Sequence, residues 1–383
     1  MNNQFSVLQT GDMASAEMAA LLVHHNFSGG PGALAQSVLD QASQAILALP
    51  ETGVSILGMS HRSDWFRSVL DEAEANIKQL LNIPEGYHVL FLQGGSSLQF
   101  SMIPMNFLRG KRNPAAYLKT GYWSAKAPPE ASLEGNVQII WDGAEKGYRN
   151  LPDLSDLNLS PESAYMHYVS NETVEGLEFS YIPETFNVPL ICDMSSNLLS
   201  QPIDVGKFDL IYAHAQKNLG PAGVTLVIIK DELAQSAPAN LPTLLDYRTH
   251  IKAKSIYNTP PVFSIYTLML VTRWLLHDVG GLENMREINI RKAKKLYEVL
   301  DSNSHAFRTH ASPKDRSTMN CSFYLKNEEL NQQLFNEAKN HNIIGLEGHR
   351  SIGGVRASLY NAVTEDDVNC LTDFLKEFAH KLN

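Results

Sequence analysis

Leu210-Ile211-Tyr212-Ala213-His214-Ala215-Gln216-Lys217-Asn218-Leu219-Gly220-Pro221-Ala222-Gly223 is the stretch from which the fold is read. Its four leading apolar residues predict a buried strand, and its Gly/Pro-rich end predicts a loop. Lys217 falls between the two. A single lysine is ordinarily a solvated surface charge. One placed between an apolar strand and such a loop is carried into the fold. Loss of water there lowers its pKa and leaves a nucleophilic amine suited to Schiff-base chemistry.

One strand–loop–strand unit upstream, Pro189-Leu190-Ile191-Cys192 runs into Asp193, followed by Met194-Ser195-Ser196. A carboxylate at the end of a buried strand is costly unless paired. A turn or helix cap is one use for it. The protonated pyridine nitrogen of pyridoxal phosphate is another. Neighbouring strand ends would set Asp193 and Lys217 on one ring. A third strand, His88–Leu92, leads into Gly94-Gly95-Ser96-Ser97-Leu98-Gln99 and a helix through Leu108. Glycines let backbone approach an anion, and free N–H groups with the helix dipole favour phosphate. The same residues also suit a plain strand-to-helix turn.

Working outward, further strands are expected at Ala115–Leu118, Val137–Ile140, Ala164–Tyr168, Pro189–Cys192, Leu210–Ala213 and Thr225–Ile229. Helical spacing covers Leu34–Leu47 and Val69–Leu81. The alternation predicts an α/β domain with a mostly parallel sheet, binding ligands at the carboxyl ends of its strands. The texture then shifts. Helices are expected at Phe263–Val279, Leu282–Leu300, Glu328–His341 and Asp366–Leu382, with strands at Cys321–Leu325 and Val355–Leu359. The expected organisation is a lead-in over 1–26, packing with the small domain or partly mobile, a large domain over 27–279 and a small α+β domain over 280–383. No internal repeat or low-complexity tract interrupts it.

Composition narrows the function classes. The 383 residues are 44% apolar and 19% charged, which fits a globular chain. The net charge of −10 argues against a general nucleic-acid binder. Cys192, Cys321 and Cys370 show no metal-like spacing, so no metal is expected and a reducing compartment is. No run of apolar residues is long enough to span a membrane. Met18–Val23 is short and flanked by Asp12 and Glu17, unlike a secretory leader. The expected location is the cytoplasm, with no membrane or nucleic-acid partner.

Ala215-Gln216-Lys217-Asn218-Leu219-Gly220-Pro221-Ala222-Gly223 resembles the lysine motif of the phosphoserine aminotransferase family, class V members of the aspartate-aminotransferase-like fold (fold type I). Further blocks are similar and in the family's order. They are Phe27-Ser28-Gly29-Gly30-Pro31, Ser60-His61-Arg62, Gly121-Tyr122-Trp123, Asn171-Glu172-Thr173, Tyr257-Asn258-Thr259-Pro260-Pro261, Gly348-His349-Arg350 and Gly353-Gly354-Val355-Arg356-Ala357-Ser358-Leu359-Tyr360-Asn361.

The resemblance implies pyridoxal 5'-phosphate held as a Schiff base on Lys217, with Asp193 on the pyridinium nitrogen. It implies Trp123 stacked on the ring, Thr173 beside the ring oxygen, and Ser96, Ser97 and Gln216 on the phosphate. Asn258 and Thr259 would reach the phosphate from a partner subunit, so a homodimer with shared active sites is implied. Arg356 would take the substrate α-carboxylate. His61, Arg62, His349 and Arg350 would take the phosphate of phosphoserine or the side chain of glutamate, the planar arginine fork suiting either anion.

The implied reaction is amino transfer between phosphoserine plus 2-oxoglutarate and 3-phosphohydroxypyruvate plus glutamate, in serine biosynthesis. A related phosphorylated hydroxythreonine in pyridoxine biosynthesis stays open. Some relatives carry Gly-Arg where this chain has Ser96-Ser97, which places more weight on Arg62, His349 and Arg350. Three rival readings fit the residues less well. A cysteine desulfurase needs a cysteine on a mobile loop, but Cys321 lies in a strand pattern and Cys370 in a helical one. An alanine–glyoxylate enzyme has no need of the basic set. A non-catalytic relative would have no need of both Lys217 and Asp193.

Overall fold

The computed structural model describes residues 24–382. The lead-in expected over 1–26 therefore falls largely outside the described residues. Its last residues, His25–Asn26, pair in parallel with Ile343–Ile344.

A seven-stranded sheet forms the centre. Its order is Tyr87–Leu92, Thr225–Lys230, Leu210–His214, Leu190–Asp193, Met166–Val169, Ala115–Lys119 and Val137–Asp142. Thr225–Lys230 runs antiparallel to both neighbours, and the remaining pairings are parallel. Most of these strands are near-continuous apolar runs because the sheet is covered on both faces. Side chains alternate between the faces. Val89, Phe91, Leu190, Cys192, Ile211 and Ala213 pack with helices Gln36–Leu47, Asp64–Leu81 and Val262–His277. Leu90, Leu92, Ile191, Leu210 and Tyr212 pack with helix Gly95–Phe107 on the other side. The edge strand Val137–Asp142 is only partly covered.

A third core gathers a three-stranded antiparallel sheet, ordered Phe307–Thr309, Asn320–Leu325 and Val355–Ser358, with helix Glu365–His380. Phe27, at the expected start of the large domain, is fully buried in this core. The helix Leu282–Ser302 straddles the cores. Leu282 and Met285 belong to the first, and Leu296 to Leu300 to the third.

Local chemistry explains where helices start. The expected helix at Val69 begins five residues earlier, at Asp64, because the Ser63 hydroxyl accepts the Phe66 N–H. The last helix opens on a capping box between Thr364 and Asp367. The helix expected from Glu328 starts instead at Asn331, after a single tight turn. A short hairpin, Asn171–Glu172 with Leu177–Glu178, has two residues per strand. That is too few for periodicity to reveal.

Candidate active site

Parallel strands deliver their carboxyl ends to one edge of the sheet. Asp193 closes its strand there, and the neighbouring strand Leu210–His214 feeds Lys217 three residues later. Between them and the amino end of helix Gly95–Phe107 lies a cavity of about 190 Å³. Its walls are Ser96 and Ser97 on the helix, Trp123 from a loop, Thr173 from the hairpin, and Asp193, Gln216 and Lys217 from the strand ends. A larger opening, about 720 Å³, sits around Phe186, Asp209 and Lys230. Its lysine and aspartate are partly exposed and 3.9 Å apart, an ordinary surface pair rather than a buried reactive one.

Lys217 is 8% exposed. Its Nζ donates to Thr173 Oγ1 at 2.5 Å and lies 5.7 Å from the centre of the Trp123 ring. Burial pushes its amine down to about 8, against the pull of the Asp193 charge and with the help of Arg356. An appreciable neutral fraction therefore exists near pH 7–8, and a neutral amine attacks carbonyls. Asp193 is buried too. Its Oδ1 accepts from the Ser195 N–H at 2.8 Å and from the Ser195 hydroxyl at 2.5 Å. Burial pushes its carboxyl up, while Ser195 and Lys217 hold it down. The Ser195 hydroxyl continues to Ser96 Oγ at 2.7 Å, joining the carboxylate to the helix terminus. This edge of the cavity can take a phosphate on free N–H groups.

Arg356 lies on strand Val355–Ser358 with its guanidinium packed so closely on Gly29 that a Cβ there would overlap it. Its buried Nε has no hydrogen-bond partner. Burial lowers its pKa, and Tyr360 and Glu175 oppose that. A half-buried cation with a buried, unserved donor is suited to a carboxylate ligand. His349 stands 4.5 Å from Tyr122, ring centre to ring centre, and bonds Ser351 through Nδ1. Burial and the Arg356, Arg350 and Lys126 charges keep its imidazole neutral more readily than usual. Arg350 is exposed beside it.

His61, Arg62, Asn258 and Thr259 do not line this chain's own cavity, and neither do His349, Arg350 and Arg356. Arg62 is exposed just before helix Asp64–Leu81, and Asn258 donates to Gln93 Oε1 at 2.7 Å. Several residues given no role from sequence do converge here. Ser195 was visible as the second residue after the strand-end carboxylate. Asn171, Ser196 and His214 also line the cavity. Glu172 sat in plain view inside Asn171-Glu172-Thr173. Among the described residues, no group of three or more His, Cys, Asp or Glu could hold a metal.

A buried lysine and a buried carboxylate on adjacent strand ends, facing a helix terminus, are an arrangement suited to Schiff-base chemistry, on a fold-type-I frame. Residues 24–371 match the family model described as "Aminotransferase class-V", and the chain belongs to that family. It is 47% identical to the phosphoserine aminotransferase of Lysinibacillus sphaericus, over 93% of this chain and 98% of that one. The solved phosphoserine aminotransferase of Bacillus circulans subsp. alkalophilus superposes with a TM-score of 0.91 at 43% identity, covering 94% of this chain and 99% of the other. A pyridoxal-phosphate-bound phosphoserine aminotransferase from Trichomonas vaginalis gives 0.86 at 36% identity, with 92% and 100% covered.

Proposed function

We propose that this chain catalyses reversible amino transfer between O-phospho-L-serine plus 2-oxoglutarate and 3-phosphohydroxypyruvate plus L-glutamate, as a pyridoxal-phosphate enzyme of serine biosynthesis. One observation carries the reading. Lys217 and Asp193 face a single cavity from adjacent strand ends, in a chain 47% identical to a phosphoserine aminotransferase.

The residues present fit the cofactor. Lys217 would hold it covalently, Asp193 would pair with its ring nitrogen, and Trp123 would cover its face. Ser96, Ser97 and Gln216 would hold its phosphate, with Thr173 beside the ring oxygen. When bound, pyridoxal phosphate supplies the electron sink that amino transfer needs. The protein supplies the rest. Lys217 Nζ, near neutrality because it is buried, takes and returns the proton at the substrate Cα. Burial raises the Asp193 carboxyl, its Ser195 hydrogen bonds favour the ionised form, and a cation opposite it would do the same. Arg356 orients the α-carboxylate. His349 and Arg350 receive the phosphate or the distal carboxylate, so both amino donors use one site in turn.

His61 and Arg62, with Asn258 and Thr259, stand outside this chain's own cavity. In a homodimer they would complete the partner's cavity, and the active sites would be shared. Residues 27–279 would then form the cofactor domain, and 280–383 the small domain that brings Arg356, His349 and Arg350. No helix among the described residues is long and apolar enough to cross a membrane. We place the enzyme in the cytoplasm. The phosphorylated hydroxythreonine of pyridoxine biosynthesis would meet the same anion partners.

The test is the absorbance of the purified protein with pyridoxal phosphate, followed as L-phosphoserine is added in a single turnover. Conversion of the cofactor band by phosphoserine, reversed by 2-oxoglutarate, is the expected result. A band that ignores phosphoserine and responds to alanine or cysteine would move the chain to a different class V activity.

A further inference from the structure

We propose that Glu172 and Glu175 share a single proton and act together as a positioning device, holding the Tyr122–Trp123 loop over the cavity and leaving Arg356 free for the substrate carboxylate. The kinetic part of this proposal rests on the function proposed above, and the stability part does not.

Both carboxyls come from the Asn171–Glu178 hairpin, whose Thr173 touches Lys217. Glu172 is fully buried. Its Oε1 accepts from Ser124 N at 3.0 Å and Thr120 Oγ1 at 3.2 Å, and its Oε2 from Trp123 N at 3.1 Å. Glu175, 2% exposed, accepts from Tyr122 N at 2.9 Å through Oε1. The three successive N–H groups of Tyr122, Trp123 and Ser124 thus hang on two acids, while those of Thr120 and Gly121 are held by Ser124 Oγ. The acids also converge on one point beside Gly121. Glu175 Oε2 and the Glu172 carboxyl carbon lie within 2.6 Å of the point where a Cβ on residue 121 would sit, so only glycine fits at Gly121.

Two negative charges this close and this dry cannot both persist. The donor sets divide the roles. Glu172, with three donors, is the better carboxylate. Glu175 has a buried Oε2 without any partner, so of the two it gains least from being ionised and is assigned the proton. Burial pushes the Glu175 carboxyl up to about 9, and the Glu172 charge adds to the rise. Burial raises Glu172 as well, against its hydrogen bonds.

The consequence reaches Arg356, whose charge acts on Glu175 and is acted on by it. A protonated Glu175 leaves the arginine's charge for an incoming carboxylate. An ionised Glu175 competes with that carboxylate from inside the protein. Other titratable groups facing the pair are Tyr148, Tyr324 and Lys217. Burial raises both tyrosines above the ordinary phenol value, which moves their titration to the alkaline side of that of Glu175. Lys217 is common to wild type and variant and drops out of their comparison.

Glu175→Gln keeps an oxygen for Tyr122 N and removes the ionisation. A carboxyl whose pKa is higher folded than unfolded contributes in full below its unfolded value of 4.5 and loses that contribution as pH rises towards about 9. The Tm of Glu175→Gln should therefore gain on wild type steadily across that window, by at least about 3 °C at its upper end. Glu175→Asp keeps the titration and should follow the wild-type slope. In the cofactor-loaded enzyme, the wild-type KM for phosphoserine, divided by that of Glu175→Gln, should rise about tenfold by one pH unit above the Glu175 pKa. The kcat ratio should not follow that rise. Parallel Tm curves for wild type and Glu175→Gln would overturn the shared proton. A KM ratio flat with pH would overturn the link to Arg356. If wild type fails to turn over phosphoserine at all, the function is wrong, and the Tm curves alone decide the dyad.

Discussion

Around Lys217 a buried amine meets one hydroxyl and an open cavity; around Lys292 a buried amine meets three carbonyls and close packing. Lys292 is 1% exposed on helix Leu282–Ser302 and donates to the carbonyls of Leu359, Tyr360 and Val363 at 3.0, 2.9 and 2.8 Å. Burial depresses both amines, Lys217 to about 8 and Lys292 to about 7. A lowered pKa therefore does not separate a reactive lysine from a structural one. The partners do. An ammonium has three N–H bonds, and Lys292 spends all of them on backbone. Lys217 spends one, on Thr173, and keeps a free side towards the cavity. The two regions are nonetheless joined. The segment that Lys292 clamps includes Asn361, whose N–H donates to Asn218 Oδ1 at 3.0 Å, next door to Lys217.

The largest effect should follow from Lys217→Ala. Turnover of phosphoserine should fall by at least about 10⁴-fold, with loss of the covalent cofactor's absorbance. Lys292→Met should keep that absorbance. Near-wild-type turnover in Lys217→Ala would remove the distinction between the two lysines and the function built on it.

The sequence made one of these lysines legible and hid the other, for physical reasons. Lys217 follows a strand of four apolar residues and precedes a Gly/Pro loop, so its burial is written locally. Asp193 is legible in the same way, and so are all seven central strands to within a residue or two at each end. Lys292 sits in Arg291-Lys292-Ala293-Lys294-Lys295, which reads as a charged face of an amphipathic helix. Only the meeting of that helix with residues 359–363 buries one of those charges. The Asn171–Glu178 hairpin was hidden because two-residue strands carry no period. Glu172 stands in a visible motif, but the burial of the hairpin's acids is not legible there, because their partners lie in the distant segment 120–124. Arg356 was read from resemblance, and its packing on Gly29 spans most of the chain. Local pattern reveals groups that are buried by their own strand, and misses those buried by a distant segment.

Lys292→Met should cost less than the loss of Lys217 costs catalysis, and it should cost it in stability. Methionine fills the space of the stem but serves none of the three carbonyls. An unserved buried carbonyl costs about 1–3 kcal/mol, and backbone adjustment or water recovers part of that. Urea unfolding should show a loss of about 3–5 kcal/mol. A loss below about 1 kcal/mol would mean the three contacts contribute little, and the contrast between the lysines would reduce to position alone.

The smallest effect concerns proton linkage at Lys217 and needs cofactor-free protein, in which the amine is free to titrate. Its pKa falls from 10.5 towards about 8 on folding. Between those values the unfolded chain holds more protons than the folded one, so stability rises with pH across the window. Below about pH 8 both states are protonated, and the full cost of burying the charge is present. Above 10.5 that cost is gone. Stability of the cofactor-free wild type, minus that of Lys217→Met, should therefore climb by about 2 kcal/mol between pH 8 and 10.5. The subtraction cancels the opposite slope from Glu175, which both proteins share. Asp193 acts against the depression of the amine, so Asp193→Asn should start the climb at lower pH. A difference that stays level with pH would show an amine held protonated in the cavity, and the neutral, nucleophilic Lys217 would be ruled out.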